Sequence, residues 1–132
     1  MIIDSSALIA ILLGEQEAEP FALAIAAAPR RLVSAFTALE SAIVIEAKKG
    51  DHGGRELDLL INRAKIEIAP LTSEQMEIAR SAWRKYGKGR HPAGLNIGDC
   101  CSYALAKCVG EPLLFKGGDF SQTDIETAHW RS

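Results

Sequence analysis

No apolar stretch in this chain approaches the ~20 residues that cross a bilayer; the longest covers only residues 7–13. Nothing basic precedes Asp4, so the charged n-region of a secretory signal is missing and the cytoplasm is the expected compartment. Cysteine is scarce: Cys100, Cys101 and Cys108 are odd in number and share one expected helix. There Cys101 and Cys108 would stand ~10 Å apart along the axis, too far to bridge and in no zinc-binding spacing. They read as small core residues of a reduced protein. Histidine is sparse too, and His52, His91 and His129 are scattered with no H-E-x-x-H, which removes the usual zinc-hydrolase and serine–histidine chemistries. Repeats, low-complexity tracts and linkers are absent, so residues 1–132 form one expected domain. A chain of this size buries roughly two thirds of the surface its unfolded form exposes.

What is present is an ordinary globular mixture, 48% hydrophobic and 24% charged. The net charge of −2 argues against a generally basic nucleic-acid binder. Four candidate site acids, Asp4, Glu40, Asp99 and Asp119, weigh on that total: without them 13 acidic residues face 15 basic ones. With a cation in that site the remaining surface is mildly positive.

Short apolar runs alternate with helical patterns. Met1-Ile2-Ile3 reads as a strand leading through Asp4-Ser5-Ser6 into a capped helix that Gly14 stops. Residues 17–28 read as a helix, 31–34 as a strand, and 36–49 as a helix with Gly50 as its C-cap glycine. After a connection Asp51-His52-Gly53-Gly54, residues 55–65 carry apolar positions at helical spacing. A strand at 66–69 precedes a helix from Ser73, on which Met76, Ala79, Trp83 and Tyr86 form one stripe. A Gly- and Pro-containing connection leads to the helix 97–109, then a strand at 113–116, a turn at Gly117-Gly118-Asp119, and a short last strand at 128–130. This rhythm predicts an α/β fold on a mainly parallel sheet.

Asp4, Glu40, Asp99 and Asp119 each fall where a strand ends or a helix begins. A parallel sheet gathers such ends into one crevice, where ligands bind. Each acid has a plain structural reading as well: Asp4 as a helix N-cap, Asp119 as a turn residue, and Asp99 as the third residue of a capping box opened by Asn96. Glu40 is harder to explain that way, because its helical neighbours Phe36, Thr37, Ile43 and Val44 offer no cation, whereas Glu46 has Lys49 three residues on.

If the four carboxylates lie ~5–6 Å apart, each of six pairs repels by about 3 kcal/mol at an effective dielectric near 20. Their sum exceeds a typical folding stability of ~5–15 kcal/mol. Such a cluster must take up protons or hold a cation, and oxygen-only ligation selects Mg2+ or Mn2+ over zinc. A hard divalent ion held by carboxylates suits hydrolysis of phosphate esters by activated water.

These residues resemble the PIN domain, and the chain is similar to the VapC-type toxin ribonucleases of toxin–antitoxin pairs. The likeness is carried by Met1-Ile2-Ile3-Asp4-Ser5-Ser6-Ala7-Leu8, Thr37-Ala38-Leu39-Glu40, Gly117-Gly118-Asp119-Phe120 and, most specifically, Arg90-His91-Pro92-Ala93-Gly94-Leu95-Asn96-Ile97-Gly98-Asp99-Cys100. It implies an α/β/α sandwich on a central, mainly parallel four- to five-stranded sheet, a homodimer, Mg2+-dependent RNA cleavage, and inhibition by a VapB-like antitoxin; hydrolysis by the two-metal route would leave 5′-phosphate and 3′-hydroxyl ends. It also maps the metal-site acids onto Asp4, Glu40, Asp99 and Asp119, the first and third touching metal directly and the others partly through water. Ser6, Thr37 and Asn96 become polar support. Lys116 departs from the pattern, since many relatives carry a hydroxyl residue near it, and it stays unassigned.

Five cations, Arg80, Arg84, Lys85, Lys88 and Arg90, run toward Asn96 and Asp99 without an intervening acid. Arg84, Lys85, Lys88 and Arg90 are candidate RNA-phosphate contacts. Trp83 and Tyr86 read as core. The rival functions are a catalytically silent PIN-fold module binding RNA or protein, and a small-molecule phosphohydrolase with Asp4 as nucleophile. The second chemistry favours another acid at position 6, where this chain has Ser6.

Overall fold

A computed structural model describes residues 1–130. Four short strands, β1 (Ile2–Ile3), β2 (Leu32–Ser34), β3 (Glu67–Ala69) and β4 (Leu113–Leu114), form a wholly parallel sheet in the order β3-β2-β1-β4. Ile2 pairs with both Leu32 and Leu113, so β1 lies at the centre. The chain leaves β1 toward β2 on one side and returns to β4 on the other, which makes the carboxyl end of β1 the switch point of the sheet.

Six helices flank this sheet: α1 (Ser5–Leu12), α2 (Ala18–Ala27), α3 (Ala35–Lys49), α4 (Asp51–Arg63), α5 (Ser73–Tyr86) and α6 (Ile97–Val109). Alternation along the strands assigns each residue to a layer. Ile2, Leu32 and Leu113 face the α5–α6 side with Tyr86, Leu95, Leu105 and Phe120. Ile3, Val33 and Leu114 face the other side with Leu8, Phe21, Ile25, Ile45 and Leu57. Two cores on one sheet give the α/β/α sandwich expected from the sequence. Among the described residues no helix is long and apolar enough to cross a membrane.

Three expectations need correction. The connection at 51–54 is the first turn of α4, and its glycines serve close helix contact: a methyl on Gly53 would stand 2.7 Å from the Ile45 carbonyl oxygen in α3. Residues 128–130 make no strand; a lone bridge pairs Leu113 with Thr127, leaving four strands. Lys49 turns from Glu46 to Glu56, at 3.3 Å, and to the Leu12 carbonyl, which joins α3 to its neighbours instead of closing a pair within the helix.

Candidate active site

Asp4 follows β1 directly and is 2% exposed. It caps α1 as its plain reading anticipates, with Oδ2 accepting from the Ser6 backbone N–H at 3.1 Å and the Ser6 hydroxyl at 2.7 Å. The Ser6 oxygen accepts in turn from the Lys116 backbone N–H at 2.9 Å, which ties the segment after β4 to the end of β1. The other oxygen, Asp4 Oδ1, accepts from the Ser102 hydroxyl at 2.6 Å. Ser102 was missed in the sequence, where its one signal is its place three residues after Asp99, on the same face of α6. Thr37, also buried, reaches Asp4 only by way of Ser102, its Oγ1 lying 3.2 Å from the serine oxygen.

Asp99 and Asn96 form the anticipated capping box, each backbone N–H bonding to the other side chain, at 2.9 and 3.1 Å. Capping leaves the carboxyl far from content. Burial, followed by the charges of Asp4, Asp119 and Glu40, pushes Asp99 up to about 7 against the Asn96 backbone bond that lowers it. Every charge acting there is negative, so four acids distant in sequence share one electrostatic environment. Glu40 is raised likewise, by partial burial and then the charge of Asp4, with a Ser5 hydrogen bond opposing. Its carboxylate presses on α6: a methyl at Gly98 would stand 2.5 Å from both Glu40 oxygens. Asp119 is exposed on the turn after β4, just before a 3-10 turn at Phe120–Gln122, and its side chain caps nothing.

Among the described residues no group of three or more His, Cys, Asp or Glu side chains is already arranged to hold one ion. Four mutually repelling carboxylates have reason to stand apart. The donor chemistry still fits a hard cation, because the donors are carboxylate oxygens and the charges acting on Asp99 are all negative.

The cation run divides. Arg80 and Lys88 border a groove of about 570 Å3 with Asn96, Ile97, Phe36 and Trp83. Arg90 lies over the Trp83 ring, 4.3 Å from its centroid. Arg84 and Lys85 line a separate depression with Glu77, Tyr103 and Lys107. Trp83, expected in the core, is 43% exposed, whereas Tyr86 is buried as expected. The α5 stripe is wider than the face α6 covers, so its outer members stay in water. Cys100 and Cys101 are buried, but Cys108 is exposed. Lys116 holds Glu15 at 3.0 Å and Glu17 at 3.5 Å, in the connection between α1 and α2.

A PIN domain profile matches residues 1–126. The chain belongs to the PIN domain family. It is 55% identical to the VapC ribonuclease Mb0640 of Mycobacterium bovis over 96% of this chain and 97% of that protein. It is 54% identical to a ribonuclease VapC of Mycolicibacterium smegmatis over 98% of this chain and 100% of that protein. The PIN fold also matches the crystal structure of Mycobacterium tuberculosis VapC20, a sarcin–ricin loop cleaving toxin, with a TM-score of 0.77 at 15% identity over 94% and 95% of the two chains. A toxin–antitoxin complex from Klebsiella pneumoniae matches with a TM-score of 0.70 at 19% identity over 93% of this chain and 92% of that one.

Proposed function

We propose that this PIN domain is a VapC-type toxin: a Mg2+-dependent endoribonuclease that hydrolyses RNA phosphodiester bonds and is restrained by a VapB-like antitoxin in the cytoplasm. The observation that carries the reading is the convergence of acids on the start of α6: Ser102 of that helix bonds Asp4, Glu40 presses on Gly98, and Asp99 beside it feels the charges of Asp4, Asp119 and Glu40. End-to-end identity to proteins named VapC ribonuclease supports it.

Asp4, Asp99, Glu40 and Asp119 would hold the ion, Asp4 fixed by Ser6 and Asp99 by Asn96. When bound, Mg2+ or Mn2+ supplies a Lewis acid for activating water and for the charge that builds on the phosphate. Lys88 lines the groove with Asn96, and Arg90 stacks on Trp83 of the same groove, so both suit phosphates flanking the cleavage point; Arg84 and Lys85 line the other depression. Exposed apolar side chains, among them Leu39, Ile43, Leu71, Met76 and Ile97, support a protein contact such as a homodimer.

RNA incubated with purified protein and Mg2+, beside an EDTA control and the variant Asp99→Asn, tests the proposal. Cleavage by the wild type with Mg2+ alone is expected. Equal cleavage in all three samples would overturn it, binding without cleavage would favour the silent module, and hydrolysis confined to small phosphate esters would favour the phosphohydrolase.

A further inference from the structure

We propose that Ser102 is a positioning residue for the cation site, the middle of a proton-ordered chain Thr37→Ser102→Asp4 that aims one lone pair of Asp4 at the ion. The proposal rests on the metal-dependent reading above.

Three side chains from three elements meet here: Asp4 after β1, Thr37 on α3 and Ser102 on α6, all buried at 0–2% exposure. A carboxylate only accepts hydrogen bonds, so the 2.6 Å contact fixes the Ser102 hydroxyl as donor to Asp4 Oδ1. A hydroxyl has one proton. Having given it to Asp4, Ser102 must accept from Thr37, and the 3.2 Å contact acquires a direction that its distance alone does not supply. The turn bearing Thr37 is itself held, since the Ser41 hydroxyl donates to the Thr37 carbonyl at 2.7 Å. Aligned donors in a dry interior polarise one another, which strengthens the last bond onto the carboxylate.

Lone pairs on Asp4 can be counted. An ionised carboxylate offers about four acceptor sites. Ser6 occupies two on Oδ2, through its N–H and its hydroxyl, and Ser102 occupies one on Oδ1. One site remains, on the oxygen that Ser102 holds. Ser6 pins one end of the group and Ser102 the other, so the carboxylate cannot swing about its Cβ–Cγ bond. Asp99 lies one turn before Ser102 on α6, so a single rigid helix supplies one acidic ligand and the hydroxyl that orients the other. Neither serine nor threonine need touch the ion.

Mn2+ titration of metal-stripped protein, read by calorimetry, tests this on the wild type, Ser102→Ala, Thr37→Val and the double variant. Hydroxyls that orient metal ligands typically contribute about 10–100-fold in metal affinity, so Ser102→Ala is expected to weaken Mn2+ binding by that factor. Thr37→Val, which keeps its shape, is expected to weaken it less. The double variant is expected to match Ser102→Ala, because Thr37 acts only through Ser102. Melting in EDTA shows that each variant folds, and Thr37→Val carries the test if Ser102→Ala does not. Unchanged Mn2+ affinity in folded single variants would overturn the proposal and leave the ribonuclease reading standing. Additive losses in the double variant would overturn the directed chain. No Mn2+ binding by the wild type would bring down both readings.

Discussion

Two aspartates on the same molecule meet opposite fates. Asp99 is pushed from an ordinary 3.8 up to about 7, because burial strips its water and the charges around it are all negative. Asp124, in the segment after the 3-10 turn, is pulled down to about 2 by Lys107, 2.8 Å from one oxygen, and by the Tyr103 hydroxyl, 2.6 Å from the other, which the Tyr86 hydroxyl also meets at 3.3 Å. Asp124 is held by a cation and two hydroxyl donors. A carboxyl on which only negative charges act is costly to keep ionised and is a candidate for binding something positive. The contrast separates the proposed site acid Asp99 from Asp124 without reference to any relative.

The largest effect should come from breaking that contrast at the site. Asp4→Asn and Asp99→Asn are each expected to lower RNA cleavage by at least about a hundredfold, the upper end of what losing a group merely supporting a ligand costs. Asp124→Asn should leave cleavage within a few-fold. Equal losses at Asp99 and Asp124, measured under single-turnover conditions, would erase the distinction. Gly98→Ala should come next. Its methyl would meet the Glu40 carboxylate at 2.5 Å, and displacing a reacting group by ~1 Å can cost about a hundredfold. Alanine favours a helix over glycine, so this variant should melt no lower than the wild type while losing activity.

At the proposed site a cation would compete with the proton for Asp99. Mn2+ affinity should therefore fall as pH drops below about 7, approaching tenfold per pH unit while one carboxylate dominates. In EDTA the sign reverses. The folded carboxyl holds its proton up to about 7, whereas the unfolded one releases it near its ordinary 3.8, so the metal-free protein loses stability as pH rises between those values. Asp99→Asn should remove that slope and raise the metal-free melting temperature at pH 8. A flat melting profile from pH 5 to 8 in the wild type would show that neither burial nor the neighbouring acids hold the Asp99 proton.

Much of this was legible because the signals are local. The pairs Ile2/Ile3, Leu32/Val33 and Leu113/Leu114 announce strands buried on both faces, and α6 with its capping box is where Asn96 and Asp99 say it begins. The end-of-element places of Asp4 and Asp99 were legible because Asp4 caps α1 and Asp99 closes the capping box of α6. What stayed hidden depends on partners far along the chain. Gly53 looks like a loop residue until α3 lies against it, and Gly98 looks like a poor helix former until Glu40 occupies the space of its missing methyl. Ser102 is a single serine in a mostly apolar helix, and its donation to a residue 98 positions away has no sequence period. Trp83 failed differently: helical spacing identifies a stripe but not how far the neighbouring helix covers it.

The smallest effect lies at Asp124 itself, and concerns stability alone. Lys107 and the two tyrosines join α5 and α6 to the chain after the 3-10 turn, five residues beyond Asp119. The Lys107–Asp124 pair is about half in water, with side-chain exposures of 36% and 50%, so its Coulombic part is screened and the Tyr103 bond carries much of the gain. Asp124→Ala is expected to cost about 1 kcal/mol, a few degrees of melting temperature in a chain this size. Because the folded carboxyl is depressed, its contribution is present above the ordinary 3.8 and is lost as pH falls toward about 2. The wild type and Asp124→Ala should accordingly differ at pH 7 and converge in acid, whereas Asp99→Asn and the wild type should differ most above pH 7. Melting curves of the three proteins across that range would reverse the assignment of the two aspartates if the divergences appeared at the opposite ends.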